Sequence, residues 1–225
     1  TAGAAEPNQT EESFSAEVTK TFAYKYLKYL PEGYDGKKKF PLLLFLHGAG
    51  ERGDNLDLVT VHGPPKLIKK GKKFPFVVIS PQCPRDSWWD AHALAGLLDS
   101  VITMHAIDKS RIYCTGLSMG GFGTWELGSF YPERFAALAP ICGIGRWPDS
   151  RGYTPFLMSE KPVWVFHGAK DSVVPLEESQ RMVDALKRRG GKPKFTIYPK
   201  ANHDSWTKSY DNPKQYEWFL SHKTE

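Results

Sequence analysis

The sequence predicts an α/β protein with a mostly parallel central sheet flanked by helices on both faces. Short apolar runs alternate along the chain with stretches of helical periodicity, which indicates βαβ units. The run Leu42-Leu43-Leu44-Phe45-Leu46 has no polar alternation, as is typical of a strand that helices cover on both faces. Glycine-containing turns follow several of these runs directly. In parallel sheets, such turns at the carboxyl ends of the strands are where ligands bind.

We expect six strands of this buried type and one antiparallel strand near an edge of the sheet. The edge strand is Phe22 to Leu30, where aromatic and polar residues alternate. The buried-type strands are Leu42 to Leu46, Phe76 to Ile79, Ile112 to Cys114, Phe135 to Ala139, Val163 to Phe166 and Phe195 to Tyr198.

Three helices are readable from their apolar spacing. One begins near Pro175 and ends before Gly190, with acidic residues in its first turn and basic residues in its last, as the helix dipole favours. A last helix packs Tyr216, Phe219 and Leu220 against the fold. The third has one apolar face, formed by Leu94, Leu97, Leu98, Val101 and Ile102.

The bulk composition suits one domain. The chain has 225 residues and a formal net charge of +5, and we expect a flexible tail over residues 1–15 and a single catalytic domain over 16–225. The lysine clusters are typical of solvated loops and predict no nucleic-acid partner. Apolar runs are shorter than the roughly 18 to 20 residues of a membrane helix, which predicts a soluble protein with no membrane contact. We expect a monomer or a weak homo-oligomer.

The cysteines and the N-terminus bear on the compartment. Cys83, Cys114 and Cys142 are odd in number, which favours buried free thiols and leaves one disulfide open. The stretch Thr1 to Glu12 is small and polar, like a mature N-terminus that is left when an export signal is removed, and it predicts a secreted or periplasmic protein. Trimming of a longer chain would look the same.

A nucleophile motif, Gly116-Leu117-Ser118-Met119-Gly120, stands between an apolar strand and a helical run. The pattern G-x-S-x-G in that context places a serine on a tight turn that only glycines at both flanking positions allow. The alternative is a serine that caps the helix beginning at Met119. We expect Ser118 to be the nucleophile.

A serine hydroxyl needs an imidazole to take its proton. Seven histidines compete. His203 lies in a loop after the last predicted strand and is the predicted base. His47 and His167 end strands, where they hold loops by hydrogen bonds. The remaining histidines lie near helix ends, in loops or near the C-terminus: His62, His92, His105 and His222.

The imidazole in turn needs a carboxylate to orient it. Asp171 follows the strand Val163 to Phe166 after a short loop and is the predicted partner of His203. Asp204 is the alternative, but adjacent side chains in a loop seldom face each other. We interpret Asp204 as the cap of a helix that begins around Ser205.

From about Tyr24 to Phe219 the chain resembles the α/β-hydrolases. Within them it resembles small lidless carboxylesterases and predicted peptidases related to dienelactone hydrolase, feruloyl esterase and polyhydroxyalkanoate depolymerase. The resemblance implies the α/β-hydrolase fold without a large lid. It also implies an oxyanion hole formed by the N–H groups of Met119 and Ala49, with Gly50 as a substitute for Ala49. The residues that carry it are His47-Gly48-Ala49-Gly50-Glu51, Gly116 to Gly121, His167-Gly168-Ala169-Lys170-Asp171 and Asn202 to Trp206.

The predicted substrate contacts are four tryptophans in segments that approach the catalytic edge: Trp88, Trp89, Trp147 and Trp206. Aromatic walls suit an aromatic acyl group or a sugar ring. The alternative is that these rings only pack loops onto the domain.

We therefore expect a serine carboxylesterase that acts on short-chain or aromatic esters, as small molecules or linked to a polysaccharide. The motifs H-E-x-x-H and paired C-x-x-C and a phosphate loop do not occur, so we expect no metal and no cofactor. Two alternatives stay open. One is a serine peptidase with the same three residues, and the other is a non-catalytic ligand-binding protein of this fold.

Overall fold

The structure is a computed structural model that describes residues 11–17, 19–145 and 158–224. Residues 1–10 of the predicted tail and Trp147 lie outside the described residues. One sheet of seven strands organises the described chain, in the spatial order β1-β3-β2-β4-β5-β6-β7. The strands are β1 Lys25–Tyr29, β2 Phe40–Leu46, β3 Val77–Gln82, β4 Ile107–Leu117, β5 Ala137–Ile141, β6 Trp164–Gly168 and β7 Lys194–Tyr198.

The pairing is parallel except at one edge. β1 runs antiparallel to β3, with Lys25 opposite Gln82, and each neighbouring pair from β3 to β7 is parallel. The predicted α/β class and its mostly parallel sheet are confirmed. Because six strands are parallel, their carboxyl ends lie along one edge of the sheet.

Helices cover both faces of this sheet. Side chains of α2, α3 and α4 pack in one apolar cluster, and side chains of α1, α5 and α6 pack in the other. The helices are α1 Gly63–Lys69, α2 Ala91–Met104, α3 Met119–Phe130, α4 Leu176–Arg188, α5 Trp206–Asp211 and α6 Pro213–Leu220. No helix in the described ranges is both long and apolar enough to cross a bilayer.

Two expectations about the strands need correction. Phe195 to Tyr198 is not of the fully buried type, because β7 is an edge strand whose side chains are exposed or only partly buried. Phe195 packs against one apolar cluster and Tyr198 against the other, while Ile197 is exposed. The first strand is shorter than predicted and occupies Lys25–Tyr29. The three cysteines are buried and free, as the favoured interpretation predicted.

Candidate active site

Ser118 lies on a strained turn between β4 and α3. Its backbone φ is 51°, a left-handed value that costs free energy in a residue with a side chain and that recurs at functional turns. Neighbouring backbone leaves no room for other side chains. A Cβ at Gly116 would lie 2.2 Å from the carbonyl oxygen of Gly120, and one at Gly120 would lie 1.9 Å from that of Leu46. The turn therefore requires both glycines and lifts the serine to the carboxyl edge of the sheet.

The structure brings Ser118, His203 and Asp171 together from three separate loops. The Nε2 of His203 lies 2.9 Å from the Oγ of Ser118, and its Nδ1 lies 2.7 Å from the Oδ2 of Asp171. An ionised carboxylate only accepts, so Nδ1–H donates to Asp171 and Nε2 accepts from the serine hydroxyl. The imidazole is partly exposed, with 19% of its side-chain surface accessible, whereas the carboxylate is buried.

Asp171 is held in place by its own loop. Its Oδ1 accepts the N–H groups of Val173 and Val174, both at 2.9 Å. Burial raises the pKa of this carboxyl group, but the hydrogen bonds from His203 and from the two N–H groups outweigh it and leave the pKa below its ordinary value. Asp171 is therefore ionised at neutral pH and suited to orient an imidazole.

A second histidine, His167, lies on the other side of the same carboxylate. Its Nε2 is 3.2 Å from the Oδ2 of Asp171 and donates to the carbonyl oxygen of Val174 at 2.9 Å. Its Nδ1 pairs with the Oγ of Ser179 at 2.7 Å. His167 is fully buried and both ring nitrogens have partners, so its position is that of the loop-holding residue that the sequence predicts.

His47 is also fully buried and engaged. Its Nε2 accepts the N–H of Cys83 at 2.9 Å, and its Nδ1 donates to the carbonyl oxygen of Gly48 at 2.6 Å. Burial lowers the pKa of His47 to about 4, against an ordinary value of 6.5. His47 is neutral at physiological pH and holds the turn that follows β2.

The turn after β2 and the start of α3 both offer backbone N–H groups. Ala49 is the first residue of a 3₁₀ turn, Ala49–Glu51, and Met119 is the first residue of α3. The first N–H groups of a helix have no partner within it and carry its partial positive charge. The buried carboxylate of Glu51 accepts the N–H of Gly48 at 2.9 Å, and this hydrogen bond holds the turn after β2 in place.

The three predicted substrate contacts that lie among the described residues occupy three different environments. Trp88 is 61% exposed, and its ring lies parallel to that of Phe122 at 6.0 Å between centroids. Trp89 is only 4% exposed and donates its indole N–H to the carbonyl oxygen of His47 at 3.1 Å. Trp206 is half-buried and meets the ring of His203 edge-on at 5.1 Å. Of the three, Trp88 presents the most surface to a ligand.

A cavity of about 760 Å³ adjoins Trp88, within the usual range for ligand sites. It begins one helical turn from the serine, because Phe122 lines it and donates its N–H to the carbonyl oxygen of Ser118 at 3.0 Å. Along α3 it extends from Phe122 to Phe130, which is roughly 12 Å at the rise of a helix. Its aromatic lining residues are Phe22, Tyr24, Trp88, Trp89, Phe122 and Phe130.

One group of side chains among the described residues has the composition of a metal site. The ligand atoms of Cys142, Asp171 and His203 lie within 4.8 Å of one another. Two of them already bond to each other, and burial raises the pKa of the Cys142 thiol to about 12. The thiol therefore stays protonated and is a poor ligand, and a metal ion would have to displace the bond between His203 and Asp171.

One contact is not predicted by the sequence. Glu51 is part of a motif and His62 is expected in a loop, but the two face each other, 3.8 Å apart between Oε1 and Nε2. The signal for this contact in the sequence is one acidic residue, Glu51, at the end of a turn that is otherwise small and apolar. Asp204, by contrast, accepts the N–H of Thr207 at 3.0 Å and caps α5, as predicted.

Comparison with known proteins agrees with this geometry. Residues 146–223 match the Prolyl oligopeptidase family. The chain is 28% identical over 145 residues to a bifunctional acetylxylan esterase/xylanase of Neocallimastix patriciarum, which covers 61% of the chain and 20% of that protein. It is 27% identical over 209 residues to an uncharacterized secreted protein of Arthroderma benhamiae, which covers 75% of the chain and 22% of that protein.

Among solved structures, a thermostable esterase superposes with a TM-score of 0.74 and 33% identity, covering 88% of this chain and 59% of that one. The chain thus spans less than two thirds of each of these relatives. Its sheet order and these structural neighbours agree with the resemblance in the sequence, and the chain has the α/β-hydrolase fold.

Proposed function

We propose that the chain is a serine hydrolase that cleaves carboxylic esters through an acyl-enzyme on Ser118. The observation that carries the proposal is the unbroken chain of hydrogen bonds from the hydroxyl of Ser118 through His203 to Asp171, at 2.9 and 2.7 Å. A hydroxyl, an imidazole and a carboxylate in this order form a charge-stabilised nucleophile and base.

In the first half of the reaction, Nε2 of His203 takes the proton of Ser118 as Oγ attacks the ester carbonyl carbon. A tetrahedral intermediate forms, and its oxygen carries the negative charge. The imidazolium then gives its proton to the alcohol oxygen, the carbon–oxygen bond to the alcohol breaks, and the acyl group remains on Ser118. Asp171 stabilises the imidazolium and fixes its tautomer.

In the second half, His203 takes a proton from water, and the hydroxide oxygen attacks the acyl carbon. The second tetrahedral intermediate collapses, His203 returns its proton to Oγ of Ser118, and the carboxylic acid leaves. The partial exposure of His203 supports this role, because water must reach its Nε2 once the alcohol has left.

The negative oxygen of each intermediate needs donors that are already in place. We assign these to the N–H groups of Met119 and Ala49, with Gly50 as the substitute for Ala49. Their support is that both groups begin helical turns beside Ser118 and have no partner within those turns. Losing one such donor typically costs about 10²- to 10³-fold in rate.

A serine-directed fluorophosphonate tests the nucleophile. We expect the probe to label the protein and Ser118→Ala to abolish labelling. Ser100→Ala, in an exposed position on α2, is the matched control and should label like the wild type. Labelling that persists in Ser118→Ala would refute the assignment.

For the substrate, we propose short-chain or aromatic esters. The support is the cavity that begins one turn from Ser118 and has the exposed ring of Trp88 in its wall. Trp88→Ala should raise KM for methyl ferulate about tenfold, in keeping with the loss of one ring–ring contact, and change KM for an aryl acetate less. Phe14→Ala removes an even more exposed ring outside the cavity and is the control. An equal effect of both variants would contradict the proposal.

The peptidase alternative is favoured by the match to the Prolyl oligopeptidase family, which includes Asp171 and His203. An ester and an amide with the same acyl group separate the two functions. We expect kcat/KM to be far higher for the ester, and comparable values would favour a peptidase. If the protein hydrolyses neither the ester nor the amide, the non-catalytic alternative would be favoured.

We also propose that the protein acts outside the cytoplasm. The support is one relative that is described as secreted. Fractionation of the source cells with an antibody would test this, and a purely cytoplasmic signal would contradict it.

A further inference from the structure

Glu51 and His62 form a second acid–histidine pair, and Trp206 contacts both its histidine and His203. The Oε1 of Glu51 lies 3.8 Å from the Nε2 of His62, and 11% and 25% of the two side chains are exposed. Neither residue has a role in the proposed reaction, and a carboxylate is seldom buried to this degree without a specific partner.

Glu51 holds the turn that contains Ala49. Its Oε2 accepts the N–H of Gly48 at 2.9 Å, and its own carbonyl oxygen accepts the amide of Gln82 at 2.9 Å. A Cβ at Gly48 would come within 2.7 Å of the side chain of Leu117, so the turn is packed directly against the end of β4. Glu51 therefore holds the proposed oxyanion turn through Gly48, and Gly48 itself lies against the strand that delivers Ser118.

Two neighbours, His62 and the N–H of Gly48, favour the ionised form of the Glu51 carboxyl group. Burial raises the pKa of its carboxyl group, while His62 and the N–H of Gly48 act in the opposite direction. Removing either partner would leave a buried carboxylate less well compensated, which costs more than the loss of the contact itself.

His62 extends the contact towards the proposed base. Its Nδ1 accepts the indole N–H of Trp206 at 3.3 Å, and the two rings meet at 5.3 Å between centroids. Trp206 also contacts His203, and the two rings are nearly perpendicular, at 89°. A continuous series of contacts thus runs from the backbone of Gly48 to the imidazole of His203.

We propose that Glu51 and His62 are positioning residues that fix the oxyanion turn relative to the base. The inference rests on the proposed ester hydrolysis, and it assigns neither residue a contact with substrate. The oxyanion donors act only on the charged intermediate, so a displaced turn lowers kcat and leaves KM nearly unchanged. A displacement of about 1 Å in such a site is enough for roughly a hundredfold loss.

The test compares Glu51→Ala, Glu51→Gln and His62→Ala with Asp99→Asn. Glutamine keeps an oxygen that accepts the N–H of Gly48 but loses the charge that faces His62. Asp99 is exposed on α2 and pairs only with Arg134, at 2.6 Å among its described contacts, so its variant is the control for loss of an acid. Active sites are counted by fluorophosphonate labelling carried to completion, and kcat is expressed per labelled site.

We expect kcat per site to fall about 30- to 100-fold in Glu51→Ala and about tenfold or less in Glu51→Gln and His62→Ala, with KM within twofold throughout. The affinity for a phenylboronic acid, which forms a tetrahedral adduct on serine, should fall in the same order. Asp99→Asn should match the wild type. The partial rescue by glutamine separates positioning from charge alone.

Full turnover per labelled site in Glu51→Ala, with only its thermal stability reduced, would overturn the inference and leave the proposed function intact. If Glu51→Ala does not fold, unchanged kcat in both Glu51→Gln and His62→Ala has the same consequence. A wild-type protein without ester turnover would overturn the proposed function, and this inference with it.

Discussion

Two strand ends in this molecule carry almost the same five residues. His47-Gly48-Ala49-Gly50-Glu51 follows β2, and His167-Gly168-Ala169-Lys170-Asp171 spans the end of β6 and the loop after it. In both, the histidine is fully buried. In both, the acid four residues later returns to it, at 3.9 Å from His47 and 3.2 Å from His167. Local sequence alone would assign the two segments the same role.

Their neighbours in the sheet make them different. β2 lies beside β4, which ends at Leu117 directly before Ser118, so the turn with Glu51 lies near the proposed nucleophile, and its acid binds backbone. β6 lies beside β7, whose following loop carries His203, so Asp171 meets an imidazole at 2.7 Å. The comparison teaches that one local motif supplies either the proposed oxyanion turn or a carboxylate that pairs with an imidazole, according to the strand beside it.

The strongest test of the comparison removes the histidine that each acid meets outside its own motif, which is His203 for Asp171 and His62 for Glu51. His203→Ala should lower kcat about 10⁶-fold, because the serine then has no base. His62→Ala should lower it about tenfold at most. Steady-state kinetics on an aryl acetate measure both. Losses of similar size in the two variants would contradict the different roles.

The next effect comes from the two acids. Asp171→Asn should lower kcat about 10⁴-fold, because an amide that donates to Nδ1 stabilises the wrong tautomer of His203. Glu51→Gln should lower it about tenfold. Circular dichroism confirms that each variant is folded. An Asp171→Asn enzyme that is as active as Glu51→Gln would count against the proposed triad.

The two glycines should differ in stability. A Cβ at Gly168 would lie 2.2 Å from the backbone oxygen of Asn202, whereas the nearest atoms to one at Gly48 are the flexible end of Leu117 at 2.7 Å and the Oε2 of Glu51 at 3.3 Å. We therefore expect Gly168→Ala to lower the free energy of unfolding by about 3 kcal/mol and Gly48→Ala by about 1 kcal/mol. Urea unfolding measures both, and the reverse order would show that the β6 loop adapts more easily.

The last expected effect is on the pH dependence of stability. The folded pKa of His47 is about 4 and its ordinary value is 6.5. Above pH 6.5 the imidazole is neutral in both states and its contribution is fully present. Between pH 7 and pH 5 the unfolded chain takes up a proton that the folded chain does not, so the free energy of unfolding falls by about 2 kcal/mol.

Urea unfolding at the two pH values checks this slope. His47→Gln keeps one donor and one acceptor but does not titrate, so its slope between pH 7 and pH 5 should be flatter than that of the wild type. A slope that is unchanged in the variant would assign the effect to other groups.

The positions of the strands and of the three clustered side chains were predictable because their signals are local. Unbroken apolar runs mark strands that pack on both faces, and the glycines around Ser118 reflect a turn with no space for a Cβ. Asp171 and His203 could be named because parallel strands bring their carboxyl ends to one edge. The burial of Trp89 and the edge position of β7 were not predictable, since both depend on which segment packs alongside.

The sequence by itself therefore determined the class of fold, the elements and the residues that meet at the rim, because periodicity and turn chemistry are written in neighbouring positions. Only the tertiary structure decided that Glu51 binds the backbone of its own turn, that His62 and His203 flank one indole, and that two nearly identical strand ends diverge in role. Those outcomes depend on the order of strands in the sheet, which places residues distant in the chain within hydrogen-bonding reach.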